Sequence, residues 1–194
     1  MEITKTFYPR NRTEWRTWLK KYHATKGEIW LVYYNKSSGK PRVPYNDAVE
    51  EALCFGWIDS IIKKIDTDSF AQRFTPRKPK SVWSEMNKER VRRLIREKKM
   101  TPAGLAAFNG SAHRSVLKTG TKVRAEKLVI PSAILKALKR NPATWKNFQK
   151  FPESYKRIRI GWIEGARHHP KIFRQRLSYF LKMTAQNKRY GMVQ

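Results

Sequence analysis

Residues 57–75 read WIDSIIKKIDTDSFAQRFT. The run WIDSIIKKID alternates well enough for a strand, residues 66–68 supply turn chemistry, and SFAQRFT gives a second strand that returns beside the first as a hairpin. A sheet is therefore required, and the flanks decide what covers it. Upstream, EIWLVYYNK after Gly27 is rich in aromatic and β-branched residues and ends in the turn-forming KSSGKPR, so it reads as a further strand. Before that, Trp15, Trp18, Leu19 and Tyr22 fall at i, i+3, i+4 and i+7, the stripe of a helix over residues 11–22. Pro44 opens another helix, with Tyr45, Ala48, Val49, Ala52 and Leu53 on one face and Asp47, Glu50 and Glu51 on the other; Gly56 stops it.

Downstream the pattern is helical. Ser84 or Asn87 caps a helix reaching Lys98, with Met86, Val91, Leu94 and Ile95 on its apolar side and Arg90, Arg92, Arg93 and Arg96 on the other. Thr101 with Pro102 starts a short helix. After the poorly patterned residues 115–130, helix starts recur at Pro131–Ser132, Asn141–Pro142, Pro152–Glu153 and His169–Pro170. The expected fold is α+β: a small antiparallel sheet of about three strands with packed helices in residues 1–115, then a helical lobe in residues 116–194.

The 194 residues carry 43 Lys and Arg against 15 Asp and Glu, a net charge of +28, where about 2–8 suffices for the solubility of a small domain. Basicity rises along the chain, from +4 over residues 1–66 to +7 over 67–100 and +17 over 101–194. Such a field attracts polyanions, so nucleic acid or another acidic partner is expected; a compositional bias that merely solvates the surface is the plainer alternative. The single cysteine, Cys54, excludes an internal disulfide and suits the cytoplasm. It lies beside Leu53 and Phe55 with no histidine near in sequence, as an inert buried thiol would. No stretch approaches the roughly 20 apolar residues of a membrane span, and no apolar leader segment opens the chain. His23, His113, His168 and His169 lack metal-ligand spacing, and there is no GxGxxG, P-loop or GxSxG. Nothing in the motifs calls for an enzyme, a cofactor or a metal, and the oligomeric state is not encoded in any pattern.

Two features stand out as candidate sites. Asp59, inside WIDSII, needs a cationic or hydrogen-bonding neighbour if buried, and the hairpin offers Arg73 or Arg77, either as a structural ion pair or as part of a ligand site. Residues 74–87, FTPRKPKSVWSEMN, set Arg77, Lys78 and Lys80 between Phe74 and Trp83 just before a helix N-terminus, where an anion would find positive charge, a stacking ring and free N–H groups. Pro76 and Pro79 equally suit a stiff crossover, with Trp83 as a staple on the core. The candidate ligand site is Trp57, Asp59, Arg73, Arg77, Lys80, Trp83, Ser84 and Asn87; candidate nucleic-acid contacts are Arg77, Lys78, Lys80, Arg90, Arg93, Arg174 and Arg176.

ALCFGWIDS at 52–60, FTPRKPKSVWSEMN at 74–87 and NKERVRRLIREKKMTPAGLAAF at 87–108 resemble the YdeI/OmpD-associated, or bacteriocin-protection, family. The likeness takes in Glu14, Trp15, Trp30 and Tyr45 and resumes more loosely over residues 141–177. It implies an α+β N-terminal portion followed by helices. It supplies no catalytic residues, and picks out Trp57, Asp59, Phe74, Pro76, Arg77, Pro79, Ser81, Trp83, Ser84 and Asn87 as pattern positions. The family's name links it to protection against cationic agents, yet a chain of +28 repels a cationic peptide. The leading expectation is a non-enzymatic cytoplasmic binder of an acidic partner, nucleic acid first. The alternative is a small-anion receptor or enzyme with a pocket around Asp59, Arg77 and Trp83.

Overall fold

The computed structural model describes residues 2–79, 81–109 and 127–191. Its elements run β1 (Thr6–Phe7), α1 (Arg12–Tyr22), β2 (Ile29–Tyr34), a 3₁₀ turn (Lys36–Ser38), α2 (Tyr45–Cys54), β3 (Trp57–Lys64), β4 (Ser69–Pro76), α3 (Glu85–Arg96), α4 (Pro102–Asn109), α5 (Ser132–Lys139), α6 (Pro142–Lys150), α7 (Glu153–Glu164) and α8 (Pro170–Ala185). The fold is α+β with a helical C-terminal region. The sheet departs from the sequence expectation: it has four strands in the order β1-β2-β4-β3, and it is mixed because β1 runs parallel to β2. With only two residues, β1 is too short to show a periodic pattern. The lobe boundary expected at residues 115–116 lies outside the described residues.

Local chemistry accounts for the boundaries. Asn11 and Asn141 cap α1 and α6 by accepting from the backbone N–H of Glu14 (2.9 Å) and Thr144 (3.0 Å). Between β3 and β4, the Asp66 carboxylate accepts from the N–H groups of Asp68 (2.8 Å) and Ser69 (2.7 Å), and these bonds hold its pKa below the ordinary value. Gly56 leaves α2 with a φ of +77°, which a side chain at that position would strain.

The described residues group into two compact units, the first drawn from residues 2–79, 81–82 and 90–109 and the second from residues 83–89 and 127–191. In the first, β4 pairs with β2 and β3, and Ile29, Leu31, Phe74 and Asp59 share one face by register. That face carries the aromatic core: Trp15 meets Phe74 at 5.4 Å between ring centroids, and Trp18 meets Trp57 at 5.7 Å. Two of the indoles are satisfied, Trp15 Nε1 donating to the Ala48 carbonyl (2.9 Å) and Trp57 Nε1 to that of His23 (3.1 Å). β3 lies at the sheet edge and leaves Ile61 and Ile62 exposed beside Lys63 and Lys64. The second unit has its own core of Ile134, Leu138, Phe148, Phe151, Tyr155, Ile160, Ile163 and Phe180.

Candidate functional site

Asp59 sits where β3 passes β4, paired with Phe74. Its Oδ2 accepts from the Gln72 amide at 2.8 Å and the Tyr45 hydroxyl at 3.0 Å. Arg73, one of the two cations the hairpin offered, does not reach it. Strand alternation sends Gln72 and Phe74 to the Asp59 face and Arg73 to the other, where its Nε bonds Glu28 Oε2 at 2.6 Å. Arg77 lies in the Asp59 field: burial pulls its pKa down and the Asp59 charge opposes this. Its side chain serves the loop, Nη2 donating to the Val82 carbonyl (3.0 Å), while its own N–H bonds the Gly56 carbonyl (2.8 Å). Around Asp59 the phenols titrate late. Tyr45 is pushed up to about 12 by burial and then by the Asp59 charge and hydrogen bond, and Tyr33 is raised by burial and by Asp59 and Tyr45.

The other sequence candidates spread out. Trp57 and Trp83 are buried core side chains, and Ser84 caps α3 by accepting from the Asn87 N–H at 3.3 Å. Arg90 Nη2 donates to Asn46 Oδ1 at 2.7 Å. Arg93 bonds Glu50 and Glu97, within a network in which Arg12 holds Asp47 (2.8 Å), Glu50 (3.3 Å) and Glu51 (2.6 Å). Arg92, expected on the outer side of α3, is 2% exposed beside Val91 and Leu94. A long amphipathic side chain can lay its stem in a core, which the apolar stripe alone does not reveal. Lys78 is exposed, and Lys80 lies outside the described residues.

Arg174 and Arg176 lie on α8, in the second unit. Arg174 is exposed, and Arg176 Nη1 donates to the Trp162 carbonyl at 2.5 Å. The described acids of this unit are spent locally: Glu85 on Lys88, Glu89 on Arg157, Glu153 on Lys156 and Arg157, Glu164 on Arg167. Along α5, Ser132, Leu135, Lys136, Lys139 and Arg140 line a shallow groove of about 470 Å³. The sequence reading missed this face, although Lys136, Lys139 and Arg140 at i, i+3 and i+4 mark one side of a helix. Among the described residues no three His, Cys, Asp or Glu side chains converge as metal ligands, and no helix is long and apolar enough to cross a membrane.

The fold therefore defines an α+β unit with a half-buried polar cluster and a separate, strongly basic helical unit. Residues 7–107 match the family model described as Domain of unknown function (DUF8412), and the chain belongs to that family. Residues 127–187 match the model described as Bacteriocin-protection, YdeI or OmpD-Associated. The resemblance seen in the sequence is thus supported in the helical stretch that it reached more loosely. The GWID and FTPRKPKSVWSEMN segments fall within the range of the first model. No curated protein and no solved structure matches the chain.

Proposed function

We propose that this chain is a non-enzymatic cytoplasmic protein of the bacteriocin-protection type that binds nucleic acid through the basic surface of its helical unit. The observation that carries the reading is the disposition of charge. Residues 127–191 hold sixteen basic and two acidic residues, and twelve of the sixteen are exposed. Both acids, Glu153 and Glu164, are already paired with neighbouring cations, and of these pairs only Glu164 with Arg167 engages one of the twelve, so the outward field stays strongly positive. Along α5, Lys136, Lys139 and Arg140 set three cations on one side of the helix, which fits a regularly charged backbone better than a single carboxylate. Cys54, a buried free thiol, accords with a reducing compartment.

Against the rival small-anion pocket, the Asp59 carboxylate oxygen is taken by Tyr45 and Gln72, and the Arg77 side chain ties down its own loop. Fluorescence anisotropy with labelled single-stranded DNA, double-stranded DNA and RNA, from low to physiological salt, tests the proposal. Binding should survive physiological salt. Changing Lys136, Lys139 and Arg140 together to Ala should lower the single-strand salt slope by about 2, the loss of three phosphate contacts. Absence of binding at physiological salt, or an unchanged slope in the triple variant, would remove nucleic acid or this groove, respectively.

A further inference from the structure

Helix α7 places Tyr155, Arg159 and Trp162 at i, i+4 and i+7, on one side of the helix. Arg159 is only 5% exposed, and its Nε is buried without a hydrogen-bond partner. Rings surround the guanidinium instead: Tyr190 at 4.6 Å, Tyr155 at 5.5 Å and Trp162 at 5.8 Å. Gly191, at a φ of +79°, lies so close that a Cβ there would come within 2.8 Å of Arg159 Nη2. Neither acid of residues 127–191 serves Arg159, since Glu153 and Glu164 bond other cations. Ring quadrupoles attract a cation but do not cancel its charge, so the positive field persists beneath the rings.

Above this buried cation the surface is aromatic and open. Trp162 is 37% exposed and Tyr179, on α8, is 46% exposed. Arg176 lies 4.8 Å from the Trp162 ring centre, and Tyr179 stands edge-on to Tyr190 at 4.7 Å. Cations and rings thus alternate across one patch. An extended apolar partner would leave Arg176 and the Arg159 field without counter-charge, whereas an acidic peptide offers the rings nothing planar to stack on. A polymer that alternates phosphate with planar bases meets both requirements.

Resting on the nucleic-acid reading above, we infer that the Trp162 and Tyr179 face of α7 and α8 receives unpaired bases of single-stranded nucleic acid. Arg176 takes the adjoining phosphate, and Arg159 acts as a positioning residue that keeps the rings in place and the patch positive. In a duplex the bases are already stacked and paired, so this patch favours single strands.

The test compares a mixed-sequence single strand with a hairpin duplex of equal length on the full chain at physiological salt. Trp162→Ala and Tyr179→Ala should each weaken single-strand binding about tenfold, the order expected for a lost base-stacking ring, with the salt slope unchanged. Duplex binding should stay within about twofold, and Trp162→Phe should retain most of the single-strand affinity. Equal losses for strand and duplex, or Ala variants with unaltered single-strand affinity, overturn the inference while leaving general nucleic-acid binding intact. If the unmodified chain binds neither form, the broader reading falls and this one with it. Tyr179 is a surface side chain, so its variant keeps the test decisive even if Trp162→Ala fails to fold.

Discussion

Asp59 earns its place in β3 by what it receives. Gln72 is 3% exposed, and its amide has the Asp59 carboxylate as partner, alongside the Tyr45 hydroxyl. Asp59→Ala should therefore cost about 1–3 kcal/mol in denaturant-monitored stability, the penalty of leaving a buried polar group unmade. The same change should bring the Tyr45 phenol down from about 12 toward its usual 10, readable by spectrophotometric titration. The sign follows from linkage: a phenol with a raised folded-state pKa lends stability that is whole below pH 10 and fades as the pH climbs through 12. Asp59 as a residue needing a partner was legible in WIDSII. Its actual partners were not, because Tyr45 comes from another element and the parity of Arg73 depends on strand register.

At the scale of elements, α2 and α4 approach each other closely at the backbone. Thr101 bonds the Cys54 carbonyl through both its N–H (3.0 Å) and its hydroxyl (2.6 Å), and a Cβ added at Gly104 would lie 2.1 Å from that same oxygen. Gly104→Ala should destabilise by about 1–3 kcal/mol through forced separation of the helices, measured as a lower denaturation midpoint. Burial pushes the Cys54 thiol up to about 11, in keeping with the inert thiol expected from its neighbours. Helix starts were the most readable elements, since Asn-Pro, Pro-Glu and Thr-Pro pairs carry their own capping chemistry. The sheet was less so. The hairpin announces itself by alternation and turn residues, but β1 exists only through its pairing with β2.

For the whole molecule, basic residues outnumber acidic ones nearly three to one, 43 against 15, and much of the acid is committed to internal pairs. Repulsion among the remaining exposed cations opposes the compact state. Raising ionic strength from about 0.01 to 0.15 M shortens the Debye length from about 30 to 8 Å, screening that repulsion more than the half-buried pairs of Arg12 and Arg157. Melting temperature should rise by roughly 2–4 °C per kcal/mol of relieved repulsion, checked by calorimetry across the salt range. A falling temperature would mean that the ion pairs outweigh the net charge. The excess of charge was plain in the sequence. Which cations are spent and which face outward depends on packing: Arg93 and Arg73 turn to acids, while Arg174 does not turn inward.

The outer strand β3 exposes Ile61 and Ile62 along an edge whose backbone could template a further strand. Lys63 and Lys64 guard it locally, and the mutual repulsion of +28 copies guards it at a distance. Colloidal stability is thus a property of the bare protein. A polyanion that balanced the charge would also lift the barrier between neighbours, so any event that occupied the basic helices would leave this edge free to meet its own kind.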